Sequence, residues 1–314
     1  MHLRPLGKTG LRVPDLALGT WGLSGDAYGS VDEATQQRVV ERALEMGFQL
    51  IDTADAYGGG RMEQLLGRIL ADRRDVVVVT KGGTDRTTDP ARKRFDGPYI
   101  RQSVERSLRR LARRRVDVFL LHNPSVAALE GGDAVDTLTA LKAEGKVGHW
   151  GASVGDREAG RAAIRCGAEV LEMAYNILEP REVHRLAGEI VVAGAGLLAR
   201  STLAYGLLAG TWARDRDFPA GDHRGDRWTR IELERRVDQL APLRFLVHGD
   251  VETMRAAAVR FVLSNRIVSC AVLGPRSVEQ LEDLVREVGM GPLYLRDEDL
   301  MRIPRVLEAA GVEP

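Results

Sequence analysis

Four residues of this sequence carry side chains that together can protonate a carbonyl oxygen: Asp52, Tyr57, Lys81 and His122. A tyrosine alone is a poor proton donor near neutral pH, because its reference pKa is near 10. An ammonium beside it stabilises the phenolate and lowers that pKa. Lys81 is the candidate ammonium, Asp52 the partner that keeps it charged when buried. His122 is placed to hydrogen-bond the carbonyl oxygen and orient it. Lysine occurs only at positions 8, 81, 93, 142 and 146, so Lys81, directly after an apolar run, stands out. Each residue taken singly has a plainer reading: a turn aspartate, a packing tyrosine, a surface lysine, a satisfied histidine. The chemistry depends on their being brought together.

The elements that must do this alternate along the chain. Leu3 to Leu18 reads as a hairpin turned by Gly7-Lys8-Thr9-Gly10. Short apolar runs then begin at Asp15, Phe48, Val76, Val116, Val147, Val170, Gly196 and Val268. Segments with helical spacing separate them, such as Asp32 to Met46 with Val39, Val40, Ala43 and Leu44 on one face. Strands apolar on both faces, alternating with amphipathic helices, call for a parallel sheet covered on both sides. Eight repeats favour a closed (β/α)8 barrel, a TIM barrel, with the hairpin ahead of it and an extra C-terminal helix over about Asp297 to Ala310. Residues 1–314 are expected to form one barrel domain. Gly210 to Asp250 interrupts the alternation and is expected to be a functional loop with some helix.

In such a barrel the chemistry sits at the carboxyl ends of the strands. The runs end at Val79, Leu121, Ala152, Met173 and Ala199 in this reading. Beyond successive runs follow Asp52, Thr53, Asp55 and Tyr57; Lys81; His122 and Asn123; Ser153; Tyr175 and Asn176; Arg200 and Ser201; Gly274 and Arg276. One pocket is expected.

Composition excludes several classes. Lys plus Arg and Asp plus Glu number 45 each, so the formal net charge is zero and nothing draws the whole chain toward nucleic acid. The run Arg109, Arg110, Arg113, Arg114 and Arg115 reads as the solvated end of a helix. Cys166 and Cys270 lack metal-ligand spacing and read as reduced thiols. No segment resembles a signal peptide or a membrane span, so a cytoplasmic protein without membrane partner is expected. Gly194-Ala195-Gly196-Leu197-Leu198-Ala199 fits G-x-G-x-x-A, with Asp215 about 20 residues on. It ends a helix and opens a strand, the reverse of a dinucleotide fingerprint, and is set aside.

The motifs resemble the aldo-keto reductase family over essentially the whole chain. Ile51-Asp52-Thr53-Ala54-Asp55-Ala56-Tyr57-Gly58 is similar to the segment bearing that family's catalytic Asp and Tyr. Val79-Thr80-Lys81 resembles the strand with the catalytic Lys, and Val116 to His122 the strand with the catalytic His. Leu18-Gly19-Thr20-Trp21 and Gly145 to Ser153 also match. The resemblance implies NADPH/NADP+ at the barrel mouth, with Gly19, Thr20, Trp21 and Asp52 near it. Ser153 and Glu172 then border the carboxamide. Arg200, Ser201, Leu203, Gly206 and Leu207 line the nicotinamide and pyrophosphate. Gly274, Arg276 and Gln280 hold the adenosine end, Arg276 offering a guanidinium at a helix start to the 2′-phosphate. Val154, Glu172, Arg200 and Leu284 replace the family's usual Asn, Gln, aromatic and Asn. The implied function is reversible reduction of a small-molecule aldehyde or ketone to an alcohol. The alternatives are a barrel lyase using Lys81 as a Schiff-base nucleophile and a non-catalytic, cofactor-binding regulatory subunit of the same type.

Overall fold

A computed structural model describes residues 1–88, 90–289 and 294–312. The N-terminal hairpin pairs β1 (Leu3–Pro5) with β2 (Arg12–Pro14), antiparallel. Eight parallel strands then close a barrel. In chain order they are β3 (Leu16–Gly19), β4 (Leu50–Asp52), β5 (Val77–Gly82), β8 (Val116–His122), β9 (Val147–Val154), β10 (Val170–Ala174), β11 (Gly196–Arg200) and β12 (Val268–Leu273). The ring closes where Ala271, Val272 and Leu273 of β12 pair with Leu16, Ala17 and Leu18 of β3.

Helices α1 (Glu33–Glu45), α2 (Arg61–Ile69), α3 (Gly97–Arg110), α4 (Val126–Glu130), α5 (Asp133–Ala143), α6 (Arg157–Arg165) and α7 (Arg181–Ala193) lie between the early strands. The helices α8 (Arg224–Arg227), α9 (Arg230–Asp238), α10 (Met254–Ser264), α11 (Val278–Val288) and α12 (Asp297–Ala309) follow. The local chemistry accounts for their starts. Asp32, Asp96, Asp156, Thr253 and Ser277 each accept a backbone N–H in the first turn of α1, α3, α6, α10 and α11.

Two apolar layers hold the barrel. Ala17, Leu50, Val79, Val118, Leu120, Val170, Leu198, Cys270 and Val272 form a cluster with Leu6 and Val13 of the hairpin. The alternate residues, such as Leu18, Ile51, Val78, Phe119 and Leu121, pack with the helices. Every strand is therefore buried on both sides, which is why its sequence is a continuous apolar run. Full burial of each such side chain is worth about 1.5 to 3 kcal/mol.

The hairpin closes the end of the barrel opposite the cavity. Gly7 passes so close to the start of β11 that a Cβ there would lie 2.3 Å from the Gly196 nitrogen. Gly194 is the left-handed C-cap of α7 and Gly196 opens β11, so the G-x-G-x-x-A match is a helix end.

Several expectations change. Strands β5, β8, β9, β10 and β11 run beyond Val79, Leu121, Ala152, Met173 and Ala199, so Lys81, His122, Ser153 and Arg200 belong to the strands themselves. A short hairpin of β6 (Thr84–Asp85) and β7 (Arg92–Lys93) follows β5 where no element was expected. The Gly210 to Asp250 segment does hold helix, α8, α9 and a 3-10 turn over Ala241–Leu246.

The arginine run is not uniformly solvated. Arg113 is buried, donating to the carbonyls of Arg73 and Val76 and to Asp117. Arg110 reaches the fully buried Glu63. Guanidinium forks satisfy carbonyls that the turn after α2 leaves open, which sequence spacing does not reveal. Among the described residues both cysteines are free, no helix is long and apolar enough to cross a membrane, and no cluster of His, Cys, Asp and Glu could hold a metal ion.

Candidate active site

The carboxyl ends of the barrel strands open into a cavity of about 970 Å³. Asp52 ends β4, Lys81 lies one residue from the end of β5, and His122 ends β8. Tyr57 opens a 3-10 turn at Tyr57–Gly60. That turn needs its glycines: Gly58, Gly59 and Gly60 have φ of 58°, 66° and 93°, and a Cβ on Gly60 would strike the Arg110 guanidinium. Three left-handed residues reverse the chain immediately after the tyrosine and lead it into α2.

The four residues face one another. The Lys81 ammonium donates to both Asp52 oxygens at 2.6 Å and to the Thr53 carbonyl at 3.1 Å. It lies 5.3 Å from the centre of the Tyr57 ring. The His122 ring meets Tyr57 edge-on, with centroids 6.1 Å apart. Glu172, on β10, brings a second carboxylate oxygen to 3.4 Å from Lys81 without hydrogen-bond alignment. Asp52, Lys81 and Glu172 are 3%, 1% and 1% exposed, so two carboxylates share one ammonium away from water.

The electrostatics follow from that count. Burial, then the charge of Glu172, pushes Asp52 up to about 7 despite Lys81. Burial opposes the charge on Lys81, but Asp52 and Glu172 together outweigh it, and the ammonium holds its proton more tightly than an ordinary lysine. Burial holds the Tyr57 hydroxyl above the ordinary phenol range; Lys81 pulls the other way and loses. The expected lowering by Lys81 is thus present but overridden, since desolvation penalises a phenolate more than one already paired ammonium helps it. Burial, followed by Lys81, Lys93 and Arg200, keeps His122 neutral, with its Nδ1 buried and without a partner among the described residues.

Of the residues matched to cofactor positions, Gly19, Trp21, Asp52, Ser153, Glu172, Arg200, Ser201, Leu203, Gly206, Gly274, Arg276 and Gln280 line the cavity. Two do not. Thr20 is fully buried and spends both its N–H and its hydroxyl on the Asp52 carbonyl, at 2.9 and 3.0 Å, tying β3 to β4. Leu207 is 1% exposed and packs in the apolar layer. Arg276 lines the cavity but is already engaged, donating to the carbonyls of Gly22, Gly29 and Ser30. Its Nη1 has no hydrogen bond among the described residues.

Other lining residues were not singled out from sequence. Lys93, from β7, donates to the His122 carbonyl at 2.7 Å and to Thr84 at 2.9 Å. Arg86 donates to the Ala56 carbonyl. Tyr28 lies between Arg224 and Arg276, 4.6 and 5.9 Å from its ring centre. The clearest signal is conformational. Tyr205 lines the cavity with φ of 61°, as do Asn123 and Ser201, both already named from sequence, with φ of 54° and 56°; such values are uncommon for residues with a side chain.

A closed eight-stranded α/β barrel, with a polar, cation-rich cavity at its strand ends, defines a class of small-molecule enzymes. The comparisons narrow it: the model of the aldo/keto reductase family matches residues 15–306, and this chain belongs to that family of oxidoreductases, which act on carbonyl groups with a nicotinamide cofactor. The chain is 27% identical to the aldo-keto reductase YhdN of Bacillus subtilis, over 100% of this chain and 96% of that protein. It is 28% identical to an NADH-specific methylglyoxal reductase of Escherichia coli, over 95% and 96%. The solved structure of aldo-keto reductase AKR11C1 from Bacillus halodurans, in its holo form, superposes with a TM-score of 0.81 at 26% identity, covering 98% of this chain and 96% of that one.

Proposed function

We propose that the chain reduces a small aldehyde or ketone to the alcohol, reversibly, with NADPH as hydride source. The observation that carries this reading is the joint placement of Tyr57, the Asp52–Lys81 pair and neutral His122 at one end of the barrel. A bound nicotinamide supplies the hydride that the carbonyl carbon accepts. Tyr57, held protonated by burial, donates its proton to the carbonyl oxygen. Lys81 then stabilises the phenolate left behind, and Asp52 keeps Lys81 charged. Neutral His122 hydrogen-bonds the oxygen and fixes its direction before transfer.

The residues present fit the cofactor. Glu172 and Ser153 lie side by side in register on neighbouring strands, and Glu172 has an oxygen without a hydrogen bond among the described residues, so the two would hold the carboxamide. Arg200, Ser201, Leu203 and Gly206 line the cavity where they would hold the nicotinamide and pyrophosphate, and Gly274, Arg276 and Gln280 would hold the adenosine end. Charge supports a preference for NADP: Arg224 and Arg276 close on Tyr28, and among the described residues Asp222 pairs with Arg224 and not with Arg276. The uncompensated guanidinium suits a 2′-phosphate. One relative is NADH-specific, so the preference is this chain's own property to be measured.

The Schiff-base alternative needs an unprotonated lysine. Lys81 is clamped by two carboxylate oxygens and a carbonyl and holds its proton, which argues against it. The same reading takes residues 1–314 as one working barrel.

The test is oxidation of NADPH and NADH with a panel of aldehydes and ketones. Wild type should turn over with NADPH, and Tyr57→Phe should lose about 10² to 10⁴ in kcat with nucleotide affinity kept. Full activity in Tyr57→Phe would remove the proton donor from this scheme; binding without turnover in wild type would favour a regulatory subunit.

A further inference from the structure

Glu172 is a buried carboxylate in the cavity wall, beside the Asp52–Lys81 pair, that the proton-transfer scheme does not use. It is 1% exposed, within 3.4 Å of Lys81, and one of its oxygens has no hydrogen bond among the described residues. Lys81 is already saturated by Asp52 and the Thr53 carbonyl. The buried cluster therefore holds two carboxylates and one ammonium.

The other groups facing it do not supply a second buried positive charge. Tyr57 is held protonated and His122 neutral, by burial first in each case. Ser153 on β9 has no charge. Cys270 on β12 is kept a neutral thiol by burial. Arg200 on β11 is half-buried, donates to Ser201 and the Val154 carbonyl, and forms no ion pair with Asp52 or Glu172; burial and Glu172 raise the Asp52 pKa by more than the Arg200 charge lowers it.

A nicotinamide ring carries a positive charge when oxidised and none when reduced. We infer that Glu172 makes this site read the oxidation state of its cofactor: two buried carboxylates facing one ammonium favour the cationic oxidised ring, and docking of that ring expels a proton that the buried cluster otherwise holds. The inference rests on the placement of the nicotinamide beside Ser153 and Glu172 proposed above. In a water-poor site a charge contributed by the ring substitutes for a charge contributed by a proton, so the two compete. Because binding of NADP+ is then linked to proton release, its affinity rises with pH. NADPH lacks the charge and lacks the linkage. Burial, then the charge of Glu172, pushes Asp52 up to about 7, so the effect falls in an accessible range.

The experiment is equilibrium titration of wild type and Glu172→Gln with NADP+ and with NADPH from pH 6 to 8.5, without substrate, followed by protein fluorescence. Trp21 lines the cavity and reports binding. The 2′-phosphate titrates in both nucleotides and cancels in the ratio of their dissociation constants. In wild type, NADP+ should gain on NADPH by about three- to tenfold per pH unit, up to the limit of one proton released. In Glu172→Gln the ratio should lose its pH dependence and move toward NADPH. A second measurement needs no variant: mixing wild type with NADP+ in weak buffer should acidify the solution, and NADPH should not. A ratio flat with pH in wild type, or the same slope in Glu172→Gln, overturns the inference. Failure of both nucleotides to bind would instead overturn the cofactor site beneath it.

Discussion

At the residue scale the site is governed by how many charges are buried and how few are paired. Asp55 lies one layer behind the reacting groups and illustrates the cost. It is buried, its Oδ2 accepts from Ser103 at 2.6 Å, and its Oδ1 has no partner among the described residues. Burial, opposed by Ser103, raises it to about 6. Its folded value lies above the unfolded value near 4, so the folded state binds the proton more tightly. Stability from this group is present below pH 4 and is lost as pH rises to 6, by about 3 kcal/mol. Asp55→Asn keeps the shape and cannot ionise. Its melting temperature relative to wild type should therefore climb between pH 4 and 6 and stay level above. A difference that is constant over this range would show that Asp55 does not titrate as described.

At the element scale, α2, α3 and β5 are bolted together directly behind Lys81. Glu63 of α2 is fully buried and accepts from Thr80 of β5 at 2.7 Å and from Arg110 of α3 at 3.1 Å. Thr80 precedes Lys81, so this joint helps fix where the ammonium points. Arg110→Met keeps much of the side-chain bulk but strands a buried carboxylate. Discounted for the partial exposure of Arg110, the expected loss is about 2 to 3 kcal/mol by urea unfolding, with a fall in kcat. The double variant Arg110→Met/Glu63→Gln should recover most of the stability; if it does not, the pair is not the reason. The sequence gives little hint of this joint. Apolar periodicity exposes strands and helices, so the eight repeats and their polar ends were legible. An Arg in a basic run looks solvated until the fold brings Glu63 beneath it. Thr20 and Leu207 fail for a related reason: neighbours in a matched motif can face cavity or core, and only the local backbone, the turn after β3 and the 3-10 turn Ala204–Ala209, says which is which. Lys93 and Arg86 were illegible because the short β6–β7 hairpin that presents them has no apolar signature.

At the scale of the whole molecule, net charge conceals a strong local field. The chain is neutral overall, yet eight Lys and Arg side chains line the cavity against three carboxylates. Lys81, Arg224 and Arg255 are committed to Asp52, Asp222 and Glu287. Lys93, Arg200, Arg216 and Arg276 have no carboxylate within ion-pair distance among the described residues. Low-dielectric walls focus such a field at the cavity mouth, so a dinucleotide carrying several phosphate charges should be drawn in although the protein as a whole exerts no pull. Partly exposed cations are screened by salt with a Debye length near 14 Å at about 50 mM and near 4 Å at about 500 mM. The dissociation constant for NADPH should accordingly rise on the order of tenfold over that range. Arg216→Ala/Arg276→Ala should weaken binding at low salt and flatten the salt slope, since fewer cations remain to be screened. Net charge in the double variant changes by only two, too little to act through the whole protein at 500 mM salt. Affinity indifferent to salt would mean that the cavity arginines serve the loops around them, as Arg276 serves Gly22 and Gly29, and leave the phosphates to backbone N–H groups.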